Sequence, residues 1–138
     1  MVDAGRERMV RIVGERYADC GFSTFDVGND KNTPKRIAAR DAVREYAREI
    51  RTHRQQGRNL LIVGSVGTGK DHLASAVVRM IVGSGMSVAY TRGSVLFGEI
   101  MAALKGAELN PKYATRDFLV VSDIEPRGDK ESSAFFQT

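Results

Sequence analysis

The most constraining feature of this sequence lies at its centre. The apolar run Asn59-Leu60-Leu61-Ile62-Val63 leads directly into a glycine loop, Gly64-Ser65-Val66-Gly67-Thr68-Gly69-Lys70. A stretch apolar on nearly every side follows from Lys70 to Val82, carrying Leu73, Ala74, Ala76, Val77, Val78, Met80 and Ile81. The first run predicts a strand buried on both faces, as in a parallel sheet. The last predicts a well-buried helix, ended by Gly83 and Gly85. Between them the loop fits G-x-x-x-x-G-K in the setting that a phosphate-binding loop requires. Its glycines let the backbone curl so that N–H groups point at phosphate oxygens. The helix N-terminus adds partial positive charge, and Lys70 adds a full one. The candidate nucleotide-binding residues are therefore Gly64, Ser65, Val66, Gly67, Thr68, Gly69, Lys70, Asp71 and His72. His72 also suits packing against its helical neighbours.

The pattern continues as an α/β chain. Ser87–Thr91 reads as a second strand. Val95, Leu96, Phe97, Ile100, Met101 and Leu104 form a helical stripe stopped near Gly106, and Phe118–Val121 reads as a third buried strand. Upstream, Met9, Ile12, Val13 and Tyr17 recur at helical spacing. Residues from Cys20 to Asn32 are irregular, with Phe22 and Phe25 as anchors. Thr33-Pro34 reads as N-cap and first-turn proline of a helix from Lys35 to Arg54. At ~100° per residue, Arg36, Arg40, Arg44, Arg48, Arg51 and Arg54 share one side of that helix, while Ala39, Val43, Tyr46 and Ile50 face the core. The arginine stripe has two readings. One is a solvated face with Asp41–Arg44 and Glu45–Arg48 pairs. The other is a ridge that binds phosphates, DNA included.

Composition narrows the class. The chain has 138 residues, 42% hydrophobic and 28% charged, which suits one compact domain. No apolar run reaches the ~18 residues of a membrane helix, and the charged N-terminus lacks a signal-peptide core. Cys20 is the sole cysteine, so an internal disulfide is excluded, and two histidines do not make a structural zinc site. A reducing, cytoplasmic setting is expected. The net charge of +4 arises wholly before Asn59, where Lys and Arg outnumber Asp and Glu; beyond it the charges balance.

Two departures mark the loop's chemistry. The position after the lysine, where a Ser or Thr hydroxyl binds Mg²⁺, is Asp71. A carboxylate there repels a triphosphate unless a metal lies between them. The third strand should end in an acidic pair, but it reads Ser122 then Asp123.

These residues resemble the bacterial AAA+ ATPases of the DnaC-type helicase loaders and IstB-type transposition helpers. The matching text is Gly67-Thr68-Gly69-Lys70-x-His72-Leu73-Ala74, with Arg16-Tyr17-x-x-Cys20-x-Phe22 and Ala42-x-x-x-Tyr46 before it. Asp117-x-Leu119-Val120-Val121-Ser122-Asp123-Ile124 follows as the second acidic motif. The resemblance covers residues 16–130. It implies a P-loop NTPase fold: a parallel sheet of about three strands with flanking helices, forming an incomplete AAA+ core. Residues 1–34 would be an N-terminal helix and linker, and 35–138 the partial ATPase domain. It further implies ATP and Mg²⁺ as ligands and a replicative helicase or a transposase as partner. Ser122 would take the place of a metal-binding Asp, and Asp123 that of the catalytic residue orienting the attacking water. Phe22, Phe25 and Val27 would either line the adenine pocket or serve as plain core anchors. With Asp71 and Ser122, either the two positions have decayed independently or the metal site keeps one carboxylate and one hydroxyl in exchanged places. Family members continue with a further strand bearing a sensor residue and with an arginine finger, which nothing up to Thr138 supplies. The expectations are weak or absent hydrolysis, and either direct pairing of strands Leu60–Val63 and Phe118–Val121 or a gap with strand edges open to self-association. A reading from another class stays beside this one: a non-catalytic interaction protein, or a remnant that no longer binds nucleotide.

Overall fold

The computed structural model describes residues 4–64 and 68–124. Cα packing divides the chain into two compact units, residues 1–88 and 89–138. The expected boundary after residue 34 falls inside the first.

The first unit is helical. Helix α1 (Ala4–Val13) buries Met9, as its spacing predicts, and a 3-10 turn follows at Glu15–Tyr17. The Cys20–Asn32 segment is irregular and buries Phe25. Helix α2 (Thr33–Arg48) begins one residue before Pro34, so Thr33 lies inside the helix and Asn32 holds the N-cap position. Thr33 still ties the turn, since its Oγ1 accepts from the Asp30 N–H at 2.9 Å. The expected single helix to Arg54 is broken: Glu49 leaves helical geometry (φ −102°, ψ 30°), and α3 (Ile50–Gln56) starts anew. Neither Gly nor Pro marks the break. It turns Ile50 into the core, while Arg51 reaches the Ser84 carbonyl at the end of α4. Tyr46 stacks on His53 with ring centroids 4.1 Å apart, and its hydroxyl donates to the Arg58 carbonyl at 2.6 Å. Ala39 is exposed, contrary to expectation, and Ala47 is buried instead.

Helix α4 (Lys70–Gly83) is the hub, buried through Leu73, Ala76, Val77, Val78 and Ile81 and packed against α1 and α2. The leucine, valine and isoleucine side chains among these each contribute ~1.5–3 kcal/mol by burial. Its end matches the glycine signal. Gly85 takes φ +78°, and the Gly85 and Met86 amides donate back to Val82 and Ile81.

Strand β1 (Val88–Arg92) leads into the second unit, which holds α5 (Gly93–Leu104), the short α6 (Lys112–Thr115) and β2 (Phe118–Ser122). β1 and β2 pair in a parallel two-stranded sheet flanked by helices, consistent with a truncated P-loop NTPase fold. β2 is half-buried rather than fully buried, and Leu119 is exposed. Burial first, and then the neighbouring Glu99 carboxylate, push the Tyr113 phenol upward.

One of the three expected strands does not form. Residues 59–64 are irregular, with Leu61 at 70% and Val63 at 81% exposure. A strand exists only through its ladder, and the described sheet holds β1 and β2 alone.

Candidate functional site

The loop connects the irregular segment to α4, and its described parts are Gly64, Thr68, Gly69 and Lys70. Ser65, Val66 and Gly67, also expected to bind phosphate, lie outside the described residues. The two ends of the loop meet. A Cβ built on Gly64 would sit 2.7 Å from Thr68 Oγ1, and the Lys70 ammonium donates to the Gly64 carbonyl.

Gly69 holds the N-cap position of α4 in the left-handed region (φ +89°). It offers no side chain to the first-turn amides, so no side-chain cap competes there for an incoming anion. A second reason for glycine is spatial: a Cβ would lie 2.6 Å from Phe25 Cε2. Phe25 thus closes over the loop's last glycine. Phe22 and Val27 remain half-buried on the same segment.

His72 ties that segment to the helix. Its Nε2 lies 2.9 Å from the Gly21 carbonyl oxygen and 3.2 Å from Thr24 Oγ1. A carbonyl only accepts, so Nε2 carries the proton. The imidazole meets Phe25 edge-on, with centroids 5.5 Å apart. Arg79, two helical turns on, donates to the Ala18 and Cys20 carbonyls. This anchor was missed in the sequence, although a cation set among the apolar residues of the helix's second half was its signal. Cys20 is half-buried, and desolvation pushes its thiol pKa up, so it is no activated nucleophile.

Asp71, half-buried, opens the first turn of α4 beside Lys70. Ser122 closes β2 in the second unit and Asp123 follows it, exposed, at φ +55°. Among the described residues, no group of three or more His, Cys, Asp or Glu is placed to hold a metal. Mg²⁺ does not need one. It keeps several waters and takes one or two protein oxygens plus phosphates, and the Asp71 carboxylate and the Ser122 hydroxyl are each, by itself, a hard oxygen donor of that kind.

The arginine stripe is largely committed. Arg44 and Arg48 pair with Asp41 at 3.3 Å and Glu45 at 3.2 Å, the two pairs expected. Arg36 binds Asp30 at 2.9 Å, Arg40 binds Asp41 at 3.1 Å, and Arg51 binds the Ser84 carbonyl.

An α/β chain whose glycine segment leads into a buried helix opened by Lys70 is consistent with a truncated P-loop NTPase fold. Residues 25–127 match the family described as IstB-like ATP binding protein, and the chain belongs to that family. It is also similar to the replicative helicase loader DnaC of Buchnera aphidicola subsp. Baizongia pistaciae (strain Bp), at 25% identity over 104 residues. That stretch is 72% of this chain and 39% of the Buchnera protein, so the chain spans well under half of that relative. No solved structure matches the chain.

Proposed function

We propose that this chain binds ATP as an AAA+ module, acting in DNA replication or transposition in the manner of helicase loaders and transposition helpers, with weak hydrolysis. The approach of Gly64 to Thr68 and Lys70 at the N-terminus of α4 carries this reading. Lys70 rests on a neutral carbonyl. Nucleotide binding would exchange that acceptor for phosphate oxygens, and charge-assisted bonds are about twice as strong. The first-turn amides of α4 would share the same oxygens. Phe25, beside Gly69, would offer its ring to the base. Mg²⁺ would be held by Asp71 and Ser122 and would screen the Asp71 carboxylate from the triphosphate. Hydrolysis would be weak because the place of a metal-binding acid is a hydroxyl, Ser122, and Asp123 is shorter than a glutamate.

The partner would be a replicative helicase or a transposase, in a cytoplasmic setting. No described helix is long and apolar enough to cross a membrane. DNA binding by the α2–α3 arginines would require their exposed ion pairs to open, at ~0–1 kcal/mol each. The deciding experiment is titration of a fluorescent ATP analogue with and without Mg²⁺. Saturable, Mg²⁺-dependent binding is expected, and its absence at millimolar nucleotide would defeat the proposal. A second reading rests on the exposed Leu61 and Val63. An interaction protein would use this apolar segment, by self-association or with a partner, and would bind no nucleotide.

A further inference from the structure

Gly93 poses a question that the loop does not. It is the first residue of α5, a position that accepts a side chain without conformational cost, and its backbone lies outside the left-handed region. The reason for glycine there is space. A Cβ on Gly93 would lie 2.9 Å from the Asp123 carbonyl oxygen, 3.3 Å from the Asp123 carbonyl carbon and 2.6 Å from Ile124 Cγ2. The chain leaving β2 therefore crosses the first turn of α5 at backbone contact.

Asp123 sits at that crossing in the left-handed region (φ +55°), which among the described residues only glycines otherwise occupy. This conformation is costly for a residue with a Cβ, and it persists only where the surroundings hold it. We propose that Gly93 is a positioning residue for Asp123: its missing side chain admits the Asp123 carbonyl against α5, which sets the left-handed turn and thereby the direction of the Asp123 carboxylate. With alanine at 93, the carbonyl must retreat by some tenths of an ångström. The cheapest retreat is rotation of Asp123 out of the left-handed region, which re-aims its side chain. The further step, that this carboxylate, next in the chain to Ser122, also faces the Mg²⁺ of the bound nucleotide, builds on the function proposed above; the positioning itself does not.

Two readouts separate these levels. The first is the backbone ¹³C shifts of Asp123 in the wild type and Gly93→Ala, which report its φ directly. Loss of the left-handed signature is expected in the variant. An Asp123 that stays left-handed would overturn the proposal. The second is the Mg²⁺-dependent gain in ATP-analogue affinity. Gly93→Ala and Asp123→Ala should each reduce it by about threefold or more, and the double variant should lose no more than either alone, since coupled neighbours are non-additive. Additive losses, or a Gly93→Ala variant that melts earlier yet keeps the full Mg²⁺ gain, would also overturn it. If Gly93→Ala does not fold, Gly93→Ala with Ile124→Ala removes the closest clash, keeps the carbonyl contact and is read in its place. A wild type that binds no nucleotide would sink the proposed function, while the shifts would still decide the positioning.

Discussion

Replacing His72 tests whether it belongs to the packing or to the ligand site. In His72→Ala the contacts with the Gly21 carbonyl, Thr24 Oγ1 and the Phe25 ring vanish, and the first and last set the loss. The Nε2–H donated to the Gly21 carbonyl at 2.9 Å has a net worth of about 0.5–1.5 kcal/mol. The edge-on contact with Phe25 adds about 0.5–1.5 kcal/mol. Gly21 is only half-buried, so water can satisfy its orphaned carbonyl, which places the total near 2 kcal/mol rather than at the upper sum. For a chain of this size that is a fall of about 6–10 °C in Tm, read by circular dichroism. His72→Gln keeps an N–H donor of similar reach and should recover about 1 kcal/mol of the loss. Affinity for the ATP analogue should stay within about twofold in both, because this nitrogen is already spent on the backbone. A His72→Ala protein with unchanged Tm and a tenfold weaker nucleotide affinity would refute the reasoning and make His72 a ligand.

Lys70→Ala should weaken ATP-analogue binding by about tenfold or more with the fold intact, since the lysine's bond to Gly64 is replaceable by water while its charge on phosphate is not. Asp71→Thr should reduce the Mg²⁺ dependence of nucleotide affinity, and Asp71→Thr with Ser122→Asp should restore it beyond the sum of the single effects; a strictly additive double variant would mean that the two positions do not share a metal. Burial raises the Tyr46 pKa. The stability linked to its neutral phenol is therefore complete below the unfolded value near 10 and lost as pH rises through the higher folded value. Tyr46→Phe should flatten part of the alkaline fall in urea-melt stability, and an unchanged alkaline slope would discount this linkage.

Much of the site was legible because its determinants are local. The loop's glycines, the lysine that follows them and the helix they open are read within twenty residues. The Arg44–Asp41 and Arg48–Glu45 pairs follow from helical spacing alone. The contacts that hold the loop in place were not legible. His72 meets Gly21 from 51 positions away and Arg79 meets Ala18 from 61, and no periodicity encodes such meetings. Nothing in the sequence singles out Gly93; the space it leaves matters only because the chain at Asp123 crosses it.

The same division runs through the fold. Helix α4 was determined by its own sequence, because every hydrogen bond of a helix closes within four residues and its apolar faces are written in order. So was its end, where Gly85 alone makes the left-handed turn cheap. The break at Glu49 was decided by tertiary packing. No residue there forbids helix, and the chain bends to place Ile50 in the core and Arg51 on the last turn of α4. The fate of Leu60–Val63 was decided in the same way. Four apolar residues carry the propensity for a strand, but the N–H and C=O groups of a strand are satisfied only by another strand, and that partner is a property of the assembled sheet rather than of the segment.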